Sequence, residues 1–283
     1  MQEDHSIVEL SGLFNDFYMP SIINVRIIRL KDCRHLIEKI ASALPAHEQA
    51  HARLYRRSQD RENFVIARTL IRRVCADYSG LNPSAVPLRV TPYGRPYVGR
   101  DGWTREGIVE FNITHSDECV VLAWAEDERV GVDVESVKSG PGANFEEIAR
   151  LSFSQNEYDV LTSVKAEEAA AVFYRIWVRK EAIVKAIGCG ICGPLSNFSV
   201  VNCGPNYSIW PATIILPSIN QSFSVHDFVP AAGHIASVAA PQGAVVHYPR
   251  AMLFQNAPSG DDDLGSGGWS APSFGSSTGS QTP

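Results

Sequence analysis

Asp133 and Glu135 stand two residues apart in the stretch RVGVDVESVK (129–138), where Val130, Val132 and Val134 alternate with Gly131, Asp133 and Glu135. In a strand, side chains at i and i+2 point the same way, so the two carboxylates project side by side, opposite the valines. Like charges held that close repel unless something positive sits between them. A hard divalent cation with oxygen ligands is one such partner. The alternative is a solvated strand face with both acids in water, where charged side chains usually lie.

A third acid comes from FYRIWVRKEAIVKAIG (173–188). Val172, Phe173, Ile176, Ile183, Val184 and Ile187 form one apolar stripe at helical spacing. Trp177, Glu181 and Lys185 recur at four-residue steps along its edge, so they share a face. Taken alone, Glu181 and Lys185 make an exposed ion pair worth about 0.3–0.5 kcal/mol. Lys180 projects near the middle of the apolar stripe, where it must snorkel or meet an anion. One of the strand carboxylates is a candidate for that anion.

The elements that must hold these residues follow from pattern. SIINVRIIRL (21–30) reads as an opening strand, and residues 46–80 read as one arginine-rich helical stretch with Gly80 as its C-cap and Pro83 beyond. LRVTPYGRPYV is a strand broken by a Pro/Gly turn, and GIVEFNITHS, CVVLAWAE and RVGVDVE then form a meander. Helices are expected over 145–151, 154–164 and 166–187, the second opening with a capping box of Ser154 and Glu157. NFSVVN, YSIWPATII, FSVHDFV and HIASVAA read as late strands. Helices mixed with antiparallel strands in each half make an α+β pattern. From Ala257 to Pro283 the chain is rich in Gly, Ser and Pro and is expected to be a disordered tail, with a docking role for its single Trp269 as the weaker reading.

With 45% hydrophobic and 20% charged residues, the composition is that of an ordinary globular protein. A net charge of −6 gives no global attraction to nucleic acid or to a membrane surface. No apolar run approaches a membrane span, and the acidic N-terminus lacks the pattern of a secretion signal, so a cytoplasmic protein is expected. Cysteines 33, 75, 119, 189, 192 and 203 are dispersed, which suits buried thiols better than a disulfide framework. Cys189 and Cys192 form a lone CxxC. A zinc site there would need two more ligands, and Cys203, His226 and His234 have no matching spacing, so structural zinc is disfavoured.

GVDVE (131–135) followed by WVRKEAIVKAIG (177–188) resembles the signature of 4′-phosphopantetheinyl transferases of the larger, surfactin-type group, G-x-D-x-E and then W-x-x-K-E-A-x-x-K. YGRP (93–96), FNITHS (111–116), SFSQNEY (152–158) and PL (194–195) match further landmarks in order, so the likeness spans approximately residues 50 to 200. Arg95 stands where that family usually has lysine, and Thr114 where serine is common. Both keep a donor, although arginine is a fork and lysine a point charge.

The resemblance implies transfer of the phosphopantetheine arm of coenzyme A to a serine of an apo carrier protein, with release of adenosine 3′,5′-bisphosphate. It implies Mg²⁺ held by Asp133, Glu135 and Glu181, with Glu181 also the base for the serine, and Lys185 neutralising the pyrophosphate. Glu157 is a second candidate base, although a capping role explains it equally well. Lys180 is read as structural. His115 would contact phosphate, with Thr114 beside it. Among the arginines between Arg53 and Arg73, Arg68 and then Arg61 would bind the nucleotide's 3′-phosphate, Arg57 less well, and Arg95 is a separate nucleotide candidate. The family's fold implies two pseudo-symmetric α+β halves, 21–130 and 131–245, with the active site in the cleft between them. A chain holding both halves is expected to be a monomer. Two rival readings use the same residues: a metal-dependent nucleotide pyrophosphatase, and a non-catalytic protein binding coenzyme A or a carrier. The carrier's pathway is left open among fatty acid, polyketide, nonribosomal peptide and siderophore systems.

Overall fold

The computed structural model describes residues 20–92, 94–99, 109–138, 145–188, 194–202, 210 and 212–248. In chain order the elements are β1 (Ile22–Arg29), α1 (Leu30–Cys33), α2 (Ile37–Ser42), α3 (Ala46–Ala52), α4 (Ser58–Ser79), β2 (Leu88–Val90), β3 (Pro96–Val98), β4 (Val109–Ser116), β5 (Cys119–Glu126), β6 (Gly131–Ser136), α5 (Phe145–Ser152), α6 (Gln155–Ser163), α7 (Ala166–Ile187), β7 (Thr213–Leu216), β8 (Gln221–Phe228), β9 (His234–Pro241) and β10 (Val245–His247).

The chain makes the same unit twice. One half runs β1, α4, β4, β5 and forms a sheet in which β1 pairs with β5 and β5 with β4. The other runs β6, α7, β8, β9 and forms a sheet in the corresponding order, β6-β9-β8. All of these pairings are antiparallel. The two long helices, α4 and α7, are each 22 residues and each end on a glycine in the left-handed region, Gly80 and Gly188. That conformation is nearly free for glycine and strained for other residues. The fold is thus α+β with two pseudo-symmetric halves, as expected. No helix among the described residues is long and apolar enough to cross a membrane.

Strand alternation explains the layers. On β5, Val120, Leu122 and Trp124 face a core shared with α4, while Cys119, Val121, Ala123 and Ala125 face the second sheet. On β6, Val132 and Val134 point into that inter-sheet core with Val25, Ala236 and Val238. Asp133 and Glu135 therefore face the other way, as the alternation requires. A third core lies under α7, where Phe173, Ile176 and Ile183 meet Val225 and Ala239.

Several expectations are corrected. The stretch 46–80 is two helices with a break at 53–57, because α3 turns back so that its Glu48 meets Arg72 of α4 at 2.7 Å in a buried ion pair. Residues 30–42, not foreseen as helical, supply α1 and α2. β6 does not extend the β4–β5 hairpin as a meander; its backbone ladder is with β9. NFSVVN is no strand, and backbone groups in it and just before it are taken by side chains instead. Lys180 Nζ donates to the carbonyls of Leu195 and Phe198, Arg179 to that of Val200, and the Val200 N–H donates to Glu157. Of the strand expected over YSIWPATII, β7 takes up Thr213–Leu216, while residues 207–209 and 211 lie outside the described residues. β10, also unforeseen, crosses back to pair in parallel with β1. The 257–283 tail and Cys189, Cys192 and Cys203 lie outside the described residues. Cys33, Cys75 and Cys119 are buried free thiols.

Candidate active site

Gly131 opens the strand that carries the acids, and α7 lies directly on it. A Cβ at Gly131 would stand 2.0 Å from the carbonyl oxygen of Ala182 and 2.4 Å from the Ala186 nitrogen. Only a residue without a side chain lets the helix backbone approach so closely. The contact brings the Glu181–Lys185 turn of α7 against the acidic face of β6. Lys185 Nζ lies 2.5 Å from Asp133 Oδ1 and donates also to the Val132 carbonyl at 3.3 Å.

β4 flanks the same strand in an unusual way. Asn112, Thr114 and Ser116 share one face by the period of two, and each bonds to β6 with its side chain. Asn112 Oδ1 accepts from the Val132 N–H at 3.0 Å, and Thr114 Oγ1 donates to Asp133 Oδ1 at 3.2 Å. Ser116 Oγ donates to Glu135 Oε2 at 3.2 Å and accepts from the Ser136 N–H at 3.0 Å. The two halves are therefore joined by a side-chain ladder in place of a backbone one. This gives NITHS a structural meaning that its letters alone did not convey. Asn112 and Ser116, absent from the expected site, belong to its frame, and their two-residue spacing with Thr114 was the available signal.

The electrostatics follow from burial. Asp133 is only 5% exposed, and desolvation pushes its carboxyl above the ordinary range despite the opposing Lys185 charge and the bonds from Lys185, Thr114 and the Val134 backbone. Glu135 is raised to about 6, first by burial and then by the nearby Asp133 charge, with Glu181 adding to it. Glu181 is raised by burial and by Asp133, against the pull of Lys185. The His115 ring titrates below its ordinary value because surrounding chain displaces water from it; Asp60 opposes this and Lys185 adds to it. Asp133, Glu135, Glu181, Lys185, Thr114 and His115 thus share one electrostatic neighbourhood at the junction of β4, β6 and α7.

Oxygen donors of this kind suit a hard cation. Asp133 Oδ2 is buried with no hydrogen-bond partner, an open acceptor of the kind a cation can use. As the side chains stand, however, no group of three or more His, Cys, Asp or Glu among the described residues is drawn together for a metal. The Lys185 ammonium occupies the Oδ1 side of Asp133. The donor chemistry fits the expected cation, while the array is not closed around it.

The arginines are spoken for locally. Arg61 forms a two-pronged pair with Glu38, at 2.8 and 2.9 Å. Arg68 stands 3.8 Å from Glu48 and over the Phe64 ring. Arg95 donates to the Lys185 carbonyl at 3.2 Å and lies 3.6 Å from Glu110, at the carboxyl end of α7, where Arg129 also donates to the Ile187 carbonyl. Cations there complement the helix dipole. No described contact joins Arg61 or Arg68 to the acids on β6.

Two further residues resolve clearly. Lys180 meets Glu157 at 2.8 Å, not a strand carboxylate, and both side chains are fully buried. Glu157 Oε2 also accepts from the Ser154 N–H, completing the expected capping box, and Oε1 accepts from Val200. A carboxyl so enclosed has no access to a hydroxyl on another protein, which removes Glu157 as a candidate base.

Comparison with known proteins agrees with this geometry. The family model described as 4′-phosphopantetheinyl transferase superfamily matches residues 129–228, and that described as 4′-phosphopantetheinyl transferase, N-terminal, matches 31–127. The chain is 30% identical over 155 residues to the 4′-phosphopantetheinyl transferase HetI of Nostoc sp., covering 55% of this chain and 64% of that protein. It is 30% identical over 163 residues to a 4′-phosphopantetheinyl transferase of Bacillus subtilis, covering 58% and 68%. The 4′-phosphopantetheinyl transferase Sfp of Bacillus subtilis is 28% identical over 163 residues, again with 58% and 68% covered. The matches thus span about two thirds of each relative's length. Two family models laid end to end over the two halves, with relatives of the Sfp type, show that the chain belongs to the 4′-phosphopantetheinyl transferase superfamily, in its larger two-half group.

Proposed function

We propose that this protein transfers the 4′-phosphopantetheine arm of coenzyme A to a serine hydroxyl of an apo carrier protein, releasing adenosine 3′,5′-bisphosphate. The observation that carries the reading is the contact of Lys185 with Asp133, which sets the α7 turn that bears Glu181 against the acidic face of β6, beside the β4 strand that carries Thr114 and His115.

The reaction is attack of the serine oxygen on the β-phosphorus of a pyrophosphate. A new P–O bond forms, and the bond to the bridging oxygen breaks and leaves with the nucleotide. Such a step needs charge neutralisation, positioning and a base. In this reading Glu181 takes the serine proton, for which its raised pKa and partial exposure suit it. Lys185, one turn along, places its ammonium on the phosphate oxygens where negative charge builds up. His115 and Thr114 contact the phosphates from β4. Asp133, Glu135 and Glu181 would hold Mg²⁺, which supplies Lewis-acid charge stabilisation when bound. For Arg61, Arg68 or Arg95 to clamp the nucleotide, each would exchange its present carboxylate partner for phosphate, a ligand that arginine binds bidentately.

Residues 21–130 are read as the nucleotide-side half and 131–245 as the half that brings the acids. Because one chain supplies both, we take the protein to act as a monomer in the cytoplasm. Its carrier would belong to fatty acid, polyketide, nonribosomal peptide or siderophore synthesis.

Mass spectrometry of an apo carrier protein incubated with coenzyme A and Mg²⁺ tests the reading. The carrier serine should gain the phosphopantetheine mass, and the gain should vanish with EDTA or in Asp133→Ala. Hydrolysis of coenzyme A with an unmodified carrier would point to a pyrophosphatase instead, and binding without turnover to a non-catalytic protein. A panel of apo carriers would then assign the pathway.

A further inference from the structure

We infer that Lys185 is a built-in stand-in for the divalent cation: its ammonium holds the cation's place on Asp133 until the pyrophosphate of coenzyme A draws it away, so the nucleotide binds before the metal. The inference rests on the transferase reading above and adds an order of events to it.

Three observations support it. First, the Asp133 carboxylate already carries a cation. Oδ1 receives Lys185 Nζ at 2.5 Å and Thr114 Oγ1 at 3.2 Å, while Oδ2 is buried and without a hydrogen-bond partner. An ammonium at that distance fills the approach a metal ion would use, and two cations in contact on one carboxylate repel. Second, the base of the lysine stands against the strand while its side chain keeps room to move. Gly131 seats the α7 backbone against β6 at Ala182 and Ala186, on either side of Lys185 in the same turn. The side chain keeps 28% of its surface exposed and carries a flexible four-carbon stem. It can therefore pivot from a carboxylate to a phosphate without any backbone change. Third, the acids do not form a ligand array while the lysine is in place, although Asp133, Glu135 and Glu181 feel one another's charge.

An incoming pyrophosphate offers the ammonium a stronger anion. Once Lys185 moves to it, Oδ1 is open and the net negative charge of the three acids is no longer offset at short range. Coenzyme A then raises cation affinity, and by reciprocity the cation raises affinity for coenzyme A.

The test is a Mn²⁺ binding isotherm, read by electron paramagnetic resonance of free Mn²⁺, on the full chain with and without coenzyme A. Without coenzyme A, Lys185→Gln should bind Mn²⁺ more tightly than wild type, by roughly 5- to 150-fold, the span of ordinary coupling between two sites. Coenzyme A should tighten Mn²⁺ binding strongly in wild type and much less in Lys185→Gln. Lys185→Arg, which keeps the charge, should bind Mn²⁺ no more tightly than wild type. Equal or weaker Mn²⁺ binding by the Gln variant would overturn the inference, as would equal tightening in the Arg variant. A wild-type protein that never modifies a carrier would remove the transferase reading, whereas the Mn²⁺ comparison would still decide whether Lys185 excludes the cation.

Discussion

Gly131 and Ala182 meet backbone to backbone: a methyl group on the glycine would come within 2.0 Å of the Ala182 carbonyl oxygen. Since Ala182 neighbours Glu181, this contact sets where a helical acid stands relative to the strand acids. Gly131→Ala should force α7 away from β6. Overpacking of this kind costs about 1–3 kcal/mol, occasionally more. We expect a lower Tm together with a fall in transfer rate larger than the loss of folded protein accounts for. Thermal melts beside the carrier assay check this; a Tm equal to wild type would mean that the helix yields easily.

The Lys180–Glu157 pair predicts a different outcome. Both side chains are fully buried, and removing one partner leaves an uncompensated charge, typically at a cost of about 3–5 kcal/mol. Lys180→Met should therefore be strongly destabilised in denaturant titration. Glu157→Gln should also lose stability, because it weakens the hold on Lys180 as well as the helix cap. Measured at low temperature on folded protein, however, Glu157→Gln should turn over near the wild-type rate. A loss of several orders of magnitude in the folded fraction would return Glu157 to the mechanism.

How far these features could be read in advance depends on their range along the chain. The alternation of Val132, Asp133, Val134 and Glu135, the stripe on α7 and the Ser154–Glu157 box are local patterns, and each holds in the structure. The inward projection of Lys180 was equally legible. Its partner was not, since Glu157 is 23 positions away on another helix and no local period links the two. Gly131 likewise looked like an ordinary strand residue until α7 lay on it. The stretch NFSVVN read as a strand, yet Glu157, Arg179 and Lys180 from α6 and α7 bond its backbone at Phe198 and Val200. Non-local pairing overrode local preference at each of these places.

The side-chain ladder between β4 and β6 can be probed at its buried rung. Asn112→Leu leaves the Val132 N–H without its acceptor, a loss of about 1–3 kcal/mol for an unsatisfied buried donor. The same change loosens the seam that aligns Thr114 with Asp133. Denaturant titration should show the lower stability, and hydrogen exchange should show faster exchange at Val132 than at the β6–β9 ladder. Unchanged exchange at Val132 would argue that the rung is dispensable.

Glu135 gives the protein a pH signature. Its carboxyl is raised from 4.5 to about 6, so between those values the folded chain binds a proton that the unfolded chain has released. The folded state therefore loses stability as pH rises through this window when no divalent cation is present. Glu135→Gln should remove the penalty, raising the cation-free Tm at pH 7 to 8 and changing it little at pH 4. Melting curves across that range check the sign. A Tm gain confined to acid pH would place the charge cost elsewhere.

β10 lies at the end of the described chain but completes the sheet that begins it, in parallel register with β1. During synthesis the first sheet must therefore wait, with one border open, until the acid-bearing half has emerged and come back across it. A shortened product stopping before Val245 would keep every catalytic side chain proposed here and yet present β1's unsatisfied amides and carbonyls to any passing strand. β10 thus covers the Ile22–Asn24 part of that border while carrying none of the proposed catalytic side chains, and a truncation there should act on solubility before it acts on chemistry.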